Sequence, residues 1–192
     1  MKILHVDSSI TGEHSVSRQL TASIVARLTV TEPGAAVTRR DLATDPLGHL
    51  DLASLPGDTS DAARESAAIL EEFLGSDVVV IGAPMYNFTA PTQLKAWIDR
   101  ILIAGTTFAY TAEGPKGLVS DKRIIVAISR GGFYGPGSPS ASVEHLETYL
   151  RDVFGFIGLS PEFVVAEGIA VGPEQRAAAI GQADETILAL AA

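Results

Sequence analysis

The sequence predicts an α/β protein, a three-layer sandwich in which helices cover both faces of a five-stranded parallel sheet. Three observations carry that prediction. Strand-like and helix-like stretches alternate along the whole chain as βαβαβαβαβα, the pattern of a parallel sheet with crossover helices. The run Asp77-Val78-Val79-Val80-Ile81-Gly82 is apolar and β-branched without a polar break, as expected of a strand buried on both faces. Right-handed crossovers then restrict the arrangement to a doubly wound sheet.

Each element has its own signal. Residues 2–6 read as the first strand, and residues 7–15 as a polar loop that enters a helix ending near Thr29. Ala36 to Leu42 reads as the second strand, followed by a loop over 43–60 rich in Pro and Gly. Asp61 to Leu74 reads as a helix with Ser60 or Asp61 as its N-cap. The third strand spans 77–82, with Pro84 closing it, and Pro91 to Ala104 forms the next helix with proline in its first turn. Lys122 to Ser129 is the fourth strand, Val143 to Gly155 a helix, Pro161 to Ala166 the fifth strand and Pro173 to Leu190 the closing helix. One excursion, Gly105 to Asp121, fits no βα unit and reads as a short hairpin or flap. Residues 1–192 show no internal repeat or linker and read as a single domain.

Composition excludes several function classes. The chain has no cysteine, so disulfides, thiolate metal sites and cysteine nucleophiles are ruled out together. Its net charge of −9 opposes nucleic-acid binding. No apolar stretch reaches the length of a membrane span, and Met1–Asp7 turns polar too early for a secretory leader. A cytoplasmic protein is the expectation. The four histidines are scattered and H-E-x-x-H is absent, so no metal site is expected. His5, inside a strand, reads as a packed histidine, and His14 as solvent-facing.

Ligands of open parallel sheets bind beyond the carboxyl ends of the strands, and three loops there carry chemistry. After the first strand comes Asp7-Ser8-Ser9-Ile10-Thr11-Gly12-Glu13-His14-Ser15-Val16-Ser17. This is neither a nucleoside triphosphate loop nor a G-x-G-x-x-G turn. Its hydroxyls and the helix N–H groups beyond them form a cradle suited to a phosphate monoester. After the third strand comes Ala83-Pro84-Met85-Tyr86-Asn87-Phe88, which holds the only asparagine of the chain. Its apolar and aromatic side chains with one amide suit a planar ligand with polar edges. After the fourth strand comes Ser129-Arg130-Gly131-Gly132, where glycine permits close backbone approach. In the flavodoxin-like order 2-1-3-4-5 these loops meet at the switch point, where a flavin mononucleotide sits. Each loop alone also has an ordinary reading, as an N-cap, a core lid or a glycine turn. A phosphorelay receiver would need an aspartate where Gly82-Ala83-Pro84 stands, and no G-x-S-x-G elbow exists for a hydrolase.

The chain resembles, over essentially its whole length, the FMN-dependent NADH-azoreductases, which are also NAD(P)H:quinone reductases. The marks of the resemblance, in order, are Ser8-Ser9 with Ser15-x-Ser17, Ala83 to Phe88, Gln93-Leu94-Lys95, and Gly105-x-Thr107-Phe108-x-Tyr110-Thr111. They continue with Gly114-Pro115-x-Gly117-Leu118, Ser129 to Gly132, Gly155-Phe156-Ile157-Gly158 and Ala166-Glu167-Gly168. The resemblance implies a homodimer with one FMN per subunit and NADH or NADPH as co-substrate. It implies that Ser9, Ser15, Val16 and Ser17 hold the phosphate. Met85, Tyr86, Asn87, Phe88, Ser129, Arg130, Gly131 and Gly132 would hold the ring. Tyr110 and, from the other subunit, Phe156 would wall the substrate cavity. Residues 44–61 and 135–142 depart from some family members at the pocket rim, which bears on substrate preference.

The expected activity is two-electron reduction of a quinone or azo compound by a ping-pong hydride cycle, with the flavin carrying the chemistry. Asn87 is the candidate for tuning the flavin. Two other readings share the fold: a flavodoxin-type electron carrier without a substrate of its own, and a cofactor-free interaction protein. The 105–121 excursion favours an enzyme, since a carrier keeps its flavin edge open.

Overall fold

The computed structural model describes residues 1–190. Seven strands alternate with five helices: β1 Lys2–Asp7, α1 Val16–Thr31, β2 Ala36–Asp41, α2 Asp61–Leu74, β3 Val78–Pro84, α3 Thr92–Ile101, β4 Phe108–Thr111, β5 Gly114–Gly117, β6 Arg123–Arg130, α4 Glu147–Phe156, β7 Glu162–Glu167 and α5 Pro173–Ala189. Five strands form one parallel sheet in the order β2-β1-β3-β6-β7. Counting only those five strands, this is the order 2-1-3-4-5. Strands β4 and β5 pair antiparallel as a separate hairpin, the excursion foreseen at 105–121.

Side-chain alternation along the strands builds two cores. Leu4, Val6, Val79, Ile81, Ile124 and Val126 pack with residues of α2, α3 and α4, including Phe73, Trp97 and Phe154. Ile3, Val78, Val80, Ile125 and Val164 face the opposite way, toward α1 and α5. α1 presents Val16, Leu20, Ile24 and Leu28 to that core at four-residue spacing, one stripe of a helix. It sits so close to β3 that a Cβ on Gly82 would lie 3.0 Å from the Asp7 carboxylate and 3.2 Å from Thr21. Truncating the fully buried Trp97 to alanine is expected to cost about 3–5 kcal/mol.

Element ends differ from the sequence reading where side chains compete for backbone groups. α3 stops at Ile101 rather than Ala104, because the buried Thr107 hydroxyl donates to the Ile101 carbonyl at 2.7 Å and accepts from Ile103 N at 2.9 Å. α4 begins at Glu147 rather than Val143, because the Glu144 carboxylate accepts from the N–H groups of Leu146, Glu147 and Thr148. β3 runs on to Pro84, which pairs with Ser129 at its last rung. Of the two candidate caps for α2, Ser60 serves, accepting from Ala63 N at 3.0 Å. Among the described residues no helix is long and apolar enough to cross a membrane.

Candidate active site

The loop after β1 and the start of α1 build one wall of a cavity at the carboxyl end of the sheet. Ser15 caps α1, its Oγ accepting from Arg18 N at 3.3 Å and lying 3.1 Å from Ser17 Oγ. The N–H groups of Val16 and Ser17 open the helix and have no intrahelical acceptor. Ser9 Oγ lies 3.0 Å from Thr11 Oγ1 and 3.2 Å from the Tyr86 hydroxyl, which also accepts from Ile10 N at 3.2 Å. Tyr86 thereby fastens the β3 loop to the β1 loop.

Ion pairs hold this wall in place. Arg18 Nη2 donates to the Ser9 carbonyl at 2.8 Å, while Nη1 and Nη2 fork onto the Asp41 carboxylate at 2.7 and 2.6 Å. The Arg18 hydrogen bonds hold the Asp41 carboxyl at about 2. Asp7, wholly buried at the end of β1, meets the Thr21 hydroxyl at 2.9 Å, Arg39 at 3.1 Å and His5 at 3.3 Å. Burial pushes its carboxyl up, but the adjacent His5, Thr21 and Arg39 outweigh burial and hold it below the ordinary aspartate value.

The second wall is a tight turn. Tyr86 and Thr89 exchange N–H···O bonds of 3.0 and 3.1 Å, which leaves Asn87 and Phe88 as a two-residue turn with φ of 47° and 74°. Two positive φ values are the primed geometry in which asparagine is favoured. For Phe88 the same region is strained backbone. The surroundings hold it there: His145 N donates to the Phe88 carbonyl at 3.0 Å, and the Phe88 ring meets Tyr134 edge-on at 6.2 Å.

The third wall follows β6. The carbonyls of Arg130, Gly131 and Gly132 accept from Ile169, Ala170 and Gly168 N–H at 3.1, 2.9 and 2.9 Å, so the loop after β7 straps this segment down. The N–H groups of Gly131 and Gly132 donate to no described residue. Arg130 is 2% exposed, and its guanidinium donates to Glu147 at 2.8 Å, Glu144 at 3.1 Å and Glu167 at 3.3 Å. Glu167 also accepts from Tyr134 N and Gly135 N, both at 3.0 Å. Burial pushes the Glu144 carboxyl up, yet the helix N–H groups and the charge of Arg130 leave it below its usual range.

The walls enclose about 310 Å³. Of the residues singled out by sequence, Ser9, Ser15, Val16, Met85, Tyr86, Ser129, Arg130 and Gly131 line this cavity. Ser17 is buried beneath it, and Asn87, Phe88 and Gly132 are not among its lining residues. Tyr110 and Phe156 belong to a different cluster, on the β4–β5 hairpin and α4. Phe108 meets their rings at 5.5 and 4.6 Å, and Tyr110 is 76% exposed. Thr11, His14 and Pro84 also line it, from loops the sequence singled out though not as individual site residues, and two lining residues escaped sequence reasoning altogether: Ile169 and Arg176. Both follow β7, and only the rule that every strand's carboxyl end faces the ligand side could have pointed to them.

Sheet order and cavity position define a flavodoxin-like protein with its ligand site at the β1/β3 switch point. Residues 1–191 match the family described as a flavodoxin-like fold. "FMN-dependent NADH:quinone oxidoreductase 2" of Bradyrhizobium diazoefficiens is 56% identical over 201 residues, covering all of both chains. An azoreductase from Bacillus anthracis str. Sterne superimposes with a TM-score of 0.85 at 32% identity, covering 99% of this chain and 100% of that one. An FMN-dependent NADH-azoreductase from Bacillus anthracis str. Ames Ancestor, solved in complex with FMN, reaches a TM-score of 0.87 at 26% identity over 100% of both chains. The chain belongs to the family of FMN-dependent NADH:quinone oxidoreductases.

Proposed function

We propose that residues 1–192 act as one FMN-binding domain that oxidises NADH and reduces quinones, and azo compounds as further acceptors. The observation that carries the proposal is the division of one cavity into two chemically distinct ends. One end offers Ser9 and Ser15 hydroxyls with the free N–H groups of Val16 and Ser17; the other offers Met85, Tyr86 and the glycine segment after Ser129. The residues present fit the phosphate and the ring of FMN respectively.

FMN, when bound, supplies a hydride acceptor for NADH and a two-electron donor for the quinone. The chain's own residues bind and orient. Val16 and Ser17 N–H groups, aided by the helix dipole, hold the phosphate at the start of α1. Met85 and Tyr86 provide the apolar wall. The unpaired N–H groups of Gly131 and Gly132 answer negative charge on the ring edge, as preorganised donors that need no reorientation. Arg130 acts indirectly: its charge is committed to three carboxylates, so it positions this segment. Asn87 stands exposed at the tip of its turn with no side-chain hydrogen bond among the described residues, and its amide is free to address the ring edge. Tyr110 and the partner copy's equivalent of Phe156 would complete the substrate wall, which makes the working unit a homodimer in the cytoplasm.

Purified protein should carry a flavin absorbance spectrum and oxidise NADH rapidly only when a quinone is supplied. Initial rates with both substrates varied should give parallel double-reciprocal lines, because one cavity serves both in turn. Flavin without NADH oxidation would leave the electron-carrier reading; protein that neither retains nor takes up flavin would end both. Light scattering showing a fully active monomer would remove the dimer.

A further inference from the structure

We infer that Arg176 is the cation that balances the cofactor phosphate, and that it sets selectivity for the phosphorylated flavin over riboflavin. The inference rests on the FMN reading above and adds a residue from the far end of the chain.

The starting point is charge. A protein of net charge −9 presents an unfavourable potential to a dianion. Helix N–H groups offset part of that, so a nearby free cation matters. Three arginines stand at or beneath the cavity, and two are already neutralised. Arg18 forks onto Asp41. Arg130 carries three carboxylates on one guanidinium. Arg176 forms no ion pair among the described residues. Its Nη2 donates to the His14 carbonyl at 3.2 Å, and the rest of its five-donor fork stays available.

Placement points the same way. Arg176 lies in the first turns of α5, beyond Pro173, with its own N–H bonded to the Gly172 carbonyl at 2.9 Å. The side chain spans 162 residues of sequence to reach the β1 loop. It lines the same cavity as Ser9, Thr11, His14 and Ser15, the hydroxyl-rich end where the phosphate is read to bind. A guanidinium is suited to this task, because its planar fork matches two phosphate oxygens at once. The competing account is that Arg176 only braces the loop through His14. A brace would act on any ligand of the cavity, whereas a charge partner acts on the phosphate alone.

The two accounts separate by equilibrium titration of apo-protein with FMN and with riboflavin, followed by flavin fluorescence. Wild type should bind FMN much more tightly than riboflavin. Arg176→Gln should weaken FMN binding about tenfold or more and leave riboflavin binding unchanged. It should also flatten the dependence of FMN affinity on salt, since a screened charge pair has been removed. Arg176→Lys should fall between the two, keeping the charge and losing the fork. Equal losses for FMN and riboflavin in Arg176→Gln would overturn the assignment in favour of a brace. Undiminished FMN affinity in that variant would overturn it outright while leaving the FMN reading intact. Wild-type protein that binds neither flavin would overturn the FMN reading and the role of Arg176 with it.

Discussion

The β1 loop and the segments after β3 and β6 face each other across one cavity, yet they are held by different means. The β1 loop is short and sits on a helix start, fixed from below by paired charges. Arg18 reaches both the Ser9 carbonyl and Asp41, while Asp7 is buried against Thr21, Arg39 and His5. The opposite side is assembled from pieces distant in sequence: the loop after β3 with its strained turn at Asn87–Phe88, and the hub of Arg130 with its three glutamates, while the β4–β5 hairpin stands apart from the cavity. On the proposed reading, a phosphate of fixed geometry and charge would be served by this rigid, helix-based end. Acceptors differ in shape, and a wall built from loops can vary without disturbing the sheet.

The sharpest break in this comparison is Arg130→Met. It leaves Glu144 and Glu167 without their cation and Glu147 with only the exposed Arg151, and breaking a largely buried ion-pair cluster in this way costs about 3–5 kcal/mol. Urea unfolding should show that loss. A variant of wild-type stability would mean that the rim does not depend on the hub.

Gly117→Ala tests the hairpin. A Cβ there would fall 2.3 Å from Gly158 N, against backbone that cannot swing aside. Overpacking of this kind costs about 1–3 kcal/mol. Hydrogen exchange should quicken in residues 108–117 while the β1 loop keeps its protection. Slowed exchange or no change would show that the hairpin does not rest on the α4 terminus.

Asn87 permits a finer cut. Alanine in a left-handed conformation costs about 1–2 kcal/mol, and glycine costs nothing there. Asn87→Gly therefore keeps the turn and removes only the amide. Stopped-flow reduction of the flavin by NADH, per bound flavin, should be slower than wild type in Asn87→Gly. Asn87→Ala should lose stability as well, and Asn87→Asp should be slowest, since a carboxylate repels an electron-rich ring. A wild-type rate in Asn87→Gly would reduce Asn87 to a turn former.

The smallest effect belongs to the other side. Asp41 has a folded pKa of about 2 against an ordinary 3.8, so its ionised form stabilises the fold. That contribution is complete above roughly pH 4 and fades as pH falls through about 2. In Asp41→Asn the acid-unfolding curve should lose that component, leaving a shallower fall of stability between pH 4 and pH 2. An identical acid transition in both proteins would mean that Arg18 holds the loop without Asp41.

Much of this was legible in local sequence. Helix and strand periods are properties of neighbouring residues, so the five βα units and the loops at the strand ends could be read directly. The run Val78–Ile81 and the stripe Val16, Leu20, Ile24 and Leu28 carry that information by themselves. Ser9, Ser15 and Met85 were legible for the same reason, since each lies just beyond a strand that could be recognised. Charge partnerships were not. Arg130 looked like a candidate for the flavin edge, but its three carboxylates lie 14, 17 and 37 residues away and take its charge. Arg176 gave no signal at all, standing in an unremarkable helix start. Which cation stays free depends on which acids the folded chain brings within a few ångströms. Spacing along a chain says nothing of that until the sheet closes and sets α5 against the β1 loop.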